Sequence, residues 1–370
     1  MIETAPDRGF LSLGQATARR IARQAAERDH FGRTLLVHGP AGAGKDAFVD
    51  DLLALAFCVE ADVARRPCNA CRGCRDARAR VHPDLVIGSP EAWRAGRSAG
   101  ESIVAAARRW LLDAAGSPVV AARRMVVIER ADGANEQTQN ALLKTLEEPG
   151  DRHGFILVAD EPERLLPTIR SRCQPLRIGP VAREELVSHL IDRERLPADQ
   201  AESIARIAGG LSGTAAAYVR QSGLLDWRRR VQAELLSLLE HGRADRFGAV
   251  RDLLDDTARL GISDAAEGEG EETSTPGAAQ RRAALLLTDV WLALTRDLLV
   301  AGGGRPDLTP SGELVSSLDA LAGRIGPAKL VRMITMLERV HEGLRQNAAP
   351  KLALEAAMLT WPFLPRPQDR

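Results

Sequence analysis

No run of eighteen or more apolar residues occurs in this 370-residue sequence, so no stretch reads as a membrane span. The first ten residues, MIETAPDRGF, lack a basic start followed by an apolar stretch, so no secretory signal is expected and a cytosolic protein is. Net charge is missing as well. Fifty basic and fifty acidic residues cancel, which leaves no general electrostatic footprint for nucleic acid, although a local patch would suffice. Lysine is scarce: only Lys45, Lys144, Lys329 and Lys351 occur, and arginine supplies the other cations. Genome composition explains such a bias in general. A compact ammonium nevertheless differs from a guanidinium in shape and hydration, which draws attention to Lys45.

What is present suits a globular chain of two or three domains, with 45% hydrophobic and 27% charged residues. Strand and helix patterns alternate from about residue 30 to 178, the mark of an α/β fold with a mainly parallel sheet. Apolar runs at 35–37, 85–87, 125–128 and 155–158 predict buried strands, and 47–57, 102–115 and 137–147 predict helices. From 179 to 222 the pattern is short and helical, with Gly209, Gly210 and Gly213 as punctuation. Residues 223–370 read as all helix. Leu287, Val290, Trp291, Leu294 and Leu298 trace one apolar face, and Leu330, Met333, Ile334, Leu337 and Val340 another. Residues 264–280 are acidic, Gly-rich and poor in large apolar groups, so a mobile loop is expected there.

Gly39-Pro40-Ala41-Gly42-Ala43-Gly44-Lys45 stands between a predicted strand and a predicted helix, the context that a phosphate-binding Gly-x-x-x-x-Gly-Lys loop requires. Gly39, Gly42 and Gly44 allow backbone N–H groups to face one anion, the helix start adds positive potential, and Lys45 reaches the outer phosphates. A chance glycine turn is the alternative. Asp46 follows, where a hydrolysing loop has Ser or Thr for magnesium. Two like charges ~4 Å apart at an effective dielectric of ~20 repel by roughly 4 kcal/mol, before any metal offsets it. The strand at 125–128 runs into Glu129-Arg130 instead of Asp-Glu, and an arginine cannot act as a base. For catalysis, a plain strand leading into a polar turn is the better account.

Cys58, Cys68, Cys71 and Cys74 have metal spacing rather than that of a disulfide frame. Four thiolates suit tetrahedral structural zinc, with Arg65, Arg66, Arg72 and Arg75 partly neutralising the centre. Free or redox-active cysteines are the alternative, and His82 is a possible substitute ligand. A zinc module can bind nucleic acid, but no aromatics interleave this array. Cys173 stands alone after Ser171-Arg172, a weak signal by itself.

Two stretches at this separation, 140–149 (NALLKTLEEP) and 161–173 (EPERLLPTIRSRC), make the sequence resemble the bacterial clamp-loader family. The cysteine array, His82-Pro83-Asp84 and residues 347–359 are also similar to that family, although Pro350 is awkward inside a helix. The resemblance covers nearly the whole chain. It implies an AAA+ nucleotide-binding-like domain with a parallel sheet over 1–178, a helical lid over 179–222, and a helical collar domain over 223–370. It also implies zinc on the four cysteines, and tau/gamma and delta partners in a pentamer that loads a sliding clamp on primed DNA for DNA polymerase III. In such assemblies the arginine at the position of Arg172 reaches ATP held by the next subunit, where it stabilises the transferred phosphoryl group. The family's motor would need Ser or Thr at 46, Asp-Glu at 129–130 and an arginine near 209–214. None of these is present, so a non-hydrolysing member is expected, with nucleotide binding by its own loop left open. A motor with unconventional magnesium ligands and a zinc-bearing nucleic-acid ATPase outside replication are the competing readings.

Overall fold

The computed structural model describes residues 9–27, 34–147, 150, 152–221, 223–260, 276–305, 309 and 315–364. It divides into two compact units, Met1–His189 with Gly210–Thr214 and Leu190–Gly209 with Ala215–Arg370.

The first unit is built on a five-stranded sheet in the order β2-β3-β4-β1-β5, with every neighbouring pair parallel. The strands are β1 (Leu35–His38), β2 (Leu85–Gly88), β3 (Arg124–Ile128), β4 (His153–Ala159) and β5 (Gln174–Arg177). Successive side chains of a strand point to opposite faces, so near-continuous apolar runs require cover on both sides. The packing follows that rule. Leu35, Val37, Met125, Val127, Ile156 and Val158 enter one core, while Leu36, Val126, Ile128, Phe155 and Leu157 enter the other. The first core is covered by α1 (Ala16–Glu27), α2 (Lys45–Phe57) and α3 (Arg72–Arg78). The second is covered by α4 (Pro90–Ala95), α5 (Ile103–Ala114) and α6 (Glu136–Glu147), with α7 (Pro167–Arg170) beyond β4. Ser102 caps α5 by accepting the Ala105 N–H at 3.2 Å.

This is the α/β layer fold with a parallel sheet that the sequence pattern predicted. Two details differ from the sequence expectation. The β2 strand lies at an edge, and Leu85, Val86 and Ile87 are only half buried. The β5 strand has no apolar run; only Leu176 is buried, and Pro175 fits because an edge strand can spare one N–H.

Next come α8 (Arg183–Asp192), α9 (Ala198–Ala208) and α10 (Ser212–Arg220). The second unit continues with α11 (Leu224–Ser237), α12 (Arg243–Arg259), α13 (Pro276–Gly302), α14 (Val315–Ile325), α15 (Pro327–Arg345) and α16 (Pro350–Thr360) around one helical core. Leu287, Val290, Trp291, Leu294 and Leu298 are buried as their spacing predicted. So are Leu330, Met333 and Leu337, with Ile334 and Val340 packed at the margin. Arg246 ties the end of the chain down, donating to the Leu238, Trp361 and Pro362 carbonyls at 2.9, 2.6 and 2.8 Å. Pro350 does not interrupt a helix beginning at 347. It opens α16 in the first turn, where its missing N–H has no partner to lose. Of the expected loop at 264–280, residues 276–280 belong to α13, and 264–275 lie outside the described residues. Among the described residues no helix is long and apolar enough to cross a membrane.

Candidate functional site

The phosphate loop leaves the C-terminal end of β1, between the ends of β4 and β5, and runs into α2. Gly42 and Gly44 have φ of 74° and 91°, the left-handed region where a side chain is strained. They also lack room. A methyl group on Gly42 would run into Thr214 Oγ1, and one on Gly44 into Ser212 Oγ. The segment carrying those hydroxyls lies directly on the loop: the Thr214 N–H donates to Gly42 O at 3.0 Å and Ser212 Oγ to Ala43 O at 3.0 Å.

Lys45 is likewise engaged from within. Its buried ammonium donates to the Gly39 and Pro40 carbonyls, both at 2.9 Å, and pairs with Asp160 at 2.5 Å. Asp160 follows β4, the strand beside β1, so sheet order brings it to the loop. Sequence reasoning missed this partner; the signal was an acid placed directly after an apolar run.

The two altered positions come together. Asp46 in the first turn of α2 and Glu129 at the end of β3 both face Arg80, as does Asp50 one turn along α2. Arg80 Nε donates to Asp50 Oδ1 at 2.8 Å and Nη1 to Glu129 Oε1 at 2.6 Å; Nη2 lies 4.0 Å from Asp46 Oδ1. Burial pushes the Asp46 and Asp50 carboxyls above their usual range, with Arg80 working against that rise. Burial opposes the Arg80 charge too, yet Asp50 and Glu129 outweigh it and its pKa is raised. Arg130, at φ 47°, turns to Glu91, 3.4 Å away. Arg80 was not singled out from the sequence, since it lies among several arginines well away from the loop.

The four cysteines do converge. The Sγ atoms of Cys58, Cys68, Cys71 and Cys74 all lie within 4.8 Å of one another. Zinc with four bonds of about 2.3 Å sets sulphurs about 3.8 Å apart, so the group fits tetrahedral zinc. The N–H groups of Cys68, Cys71 and Cys74 approach the sulphurs of Cys58, Cys68 and Cys71, each at 3.4 Å. The Ala70 and Cys71 N–H groups pull the Cys68 thiol down to about 6, while burial pushes Cys58 and Cys74 up. Gly73 lets α3 approach the end of α2, because a methyl there would strike the Phe57 carbonyl. His82 is not part of the sulphur group: its ring stacks on Phe57 at 3.8 Å and its Nδ1 accepts the Asp84 N–H. Three neighbouring arginines have oxygen partners close by. Arg65 pairs with Asp62, Arg66 donates to the Glu60 carbonyl, and Arg72 pairs with Asp76.

Arg172 lies far along the chain from the loop and is 39% exposed. Its guanidinium is held by Glu147 at 2.8 Å and by the Thr168 carbonyl at 2.8 Å, so the two signature stretches meet in it. Cys173 beside it is buried, and its thiol is pushed up to about 12, which leaves it inert. Glu148 and Pro149 of the first stretch lie outside the described residues.

Fold and site together define an α/β module with a phosphate-loop pattern in which Asp46 and Glu129 stand where a hydrolysing loop has its metal-holding residues. The family model described as DNA polymerase III, delta subunit, matches residues 14–182. The delta' subunit of Pseudomonas aeruginosa is 31% identical over 222 residues, 59% of this chain and 64% of the relative. That of Bacillus subtilis is 28% identical, covering 56% of this chain and 59% of the relative. The gamma/tau subunit of Mycobacterium bovis is 28% identical over 359 residues, 90% of this chain and 57% of that protein. A solved gamma subunit-related protein from Thermotoga maritima covers 92% of this chain at 16% identity, with a TM-score of 0.36, too low to carry weight. The chain thus spans between 57% and 64% of the length of these curated relatives. Over the matched span, the chain is similar to delta' subunits of DNA polymerase III.

Proposed function

We propose that the chain is a non-hydrolysing clamp-loader subunit of the DNA polymerase III holoenzyme, acting in the cytoplasm. It helps load the sliding clamp on primed DNA and supplies Arg172 as an arginine finger to ATP on a neighbouring subunit. Its partners are tau/gamma and delta subunits in a pentamer, which it joins through a helical collar over 223–370, with a lid over 179–222. Zinc on the four cysteines is structural, since four protein ligands leave no open position for chemistry.

One observation carries the reading. The groups that would cradle a triphosphate are already engaged, with Lys45 on Asp160 and two loop carbonyls and Ser212 to Thr214 on the loop itself. Nucleotide would have to displace each of these contacts, and Asp46 would then repel it. Arg172, by contrast, is exposed and held in place.

Steady-state ATP turnover by the purified chain, alone and with its partners, is the test. No turnover alone is expected, with robust turnover in the complex. Hydrolysis by the isolated chain at a motor's rate would favour the motor reading with unconventional metal ligands.

A further inference from the structure

We propose that the Arg80 guanidinium is a built-in replacement for the divalent cation of a hydrolysing phosphate loop, and that it keeps this pocket from taking a metal ion. The inference deepens the proposed function and rests on it. In a hydrolysing loop the metal is held from two directions, by the residue after the loop lysine and by the carboxylate that ends the neighbouring core strand. Those positions are Asp46 and Glu129 here, and one side chain faces both of them. Asp50 completes the set from the same face of α2, four residues on from Asp46.

The geometry suits a guanidinium and not magnesium. A planar fork of five N–H donors can serve carboxylates on several sides at once. Its nitrogens stand 2.8 and 2.6 Å from the Asp50 and Glu129 oxygens, in the space a small ion needs. Magnesium demands oxygens at about 2.0–2.1 Å in an octahedron, so it could enter only by expelling the arginine. The backbone of Arg80 is set for the task. It follows α3 with φ at 57°, and its N–H donates to Ala77 O at 3.0 Å. The helix that carries Cys74 thus also delivers the cation to the pocket.

The test is equilibrium binding of Mn2+, followed by its paramagnetic resonance, to the full-length chain as purified, without nucleotide or partners. Wild type is expected to bind no Mn2+ at Asp46 and Glu129. Arg80→Gln should create one site, about tenfold or more tighter than any in wild type, because three carboxylates lose their counter-charge. Adding Glu129→Gln to that variant should abolish the gain. If Arg80→Gln does not fold, Arg80→Lys takes its place. An ammonium cannot bridge several carboxylates as the fork does, so a gain of about threefold is still expected. The proposal is overturned if wild type binds Mn2+ as tightly as the variants, if neither variant gains a site, or if the gain survives Glu129→Gln. ATP hydrolysis by the isolated wild-type chain would instead sink the proposed function, and the two failures are read in separate experiments.

Discussion

Lys45 and Arg172 carry the same charge in opposite surroundings. Lys45 is 8% exposed and spends its ammonium on Asp160 and two carbonyls of its own loop. Arg172 is 39% exposed; Glu147 and a carbonyl hold its guanidinium without covering it. A side chain bound on every side can stabilise a fold but cannot serve a ligand, whereas a held and open one can reach a partner. Under the proposed function, the pocket serves stability and the edge serves chemistry.

The largest effect should come from exchanging those two cations one at a time. Arg172→Ala is expected to lower ATP turnover of the reconstituted loader by about a thousandfold, with melting temperature unchanged. Lys45→Ala should leave that turnover nearly intact and instead cost the isolated chain about 2 kcal/mol, between an exposed and a buried ion pair. Turnover assays on the complex and denaturant melts of the chain read the two results. Equal losses of turnover would erase the contrast.

The sequence made half of this contrast legible. The loop could be recognised because its glycines are required by local backbone geometry; Asp46 directly follows it, and Glu129-Arg130 directly follow the apolar run at 125–128. Arg172 was visible only through the family motif, since an arginine before a short strand is otherwise unremarkable. The other half is tertiary. Asp160 meets Lys45 because β4 lies beside β1, and Arg80 meets Glu129 because α3 docks on α2; neither adjacency is written in spacing. The β5 strand, with one buried residue, was hidden for the same reason: its place depends on pairing with β1, not on its own pattern.

The cysteine array offers a second, smaller challenge to the division between pocket and edge. Its sulphurs meet backbone N–H groups of their own turns and fit a metal ion, where Lys45 has found internal partners. Metal analysis should find about one zinc per chain. Cys71→Ser should remove it and cost on the order of 3 kcal/mol, the range for losing a structural metal contact. Because α3 carries both Cys74 and the turn that presents Arg80, the variant should also loosen the pocket. A folded, metal-free wild-type chain of undiminished stability would refute the zinc assignment.

The smallest effect tests how far the pocket depends on its own charges. Burial raises the Asp46 carboxyl above its ordinary 3.8, with Arg80 opposing and Glu129 adding to the rise. A group raised on folding holds its proton more tightly in the folded chain. Its contribution to stability is therefore complete below the unfolded value and is lost as pH rises through the folded one. At neutral pH the ionised carboxylate is a net cost. Asp46→Asn should accordingly stabilise the chain at pH 7, by about 0.5 kcal/mol once the exposure of the side chain is allowed for, and the gain should fade as pH drops toward about 4. Denaturant melts across that range measure it. A loss of stability at pH 7 would mean that Arg80, 4.0 Å away, draws more from the Asp46 charge than burial takes.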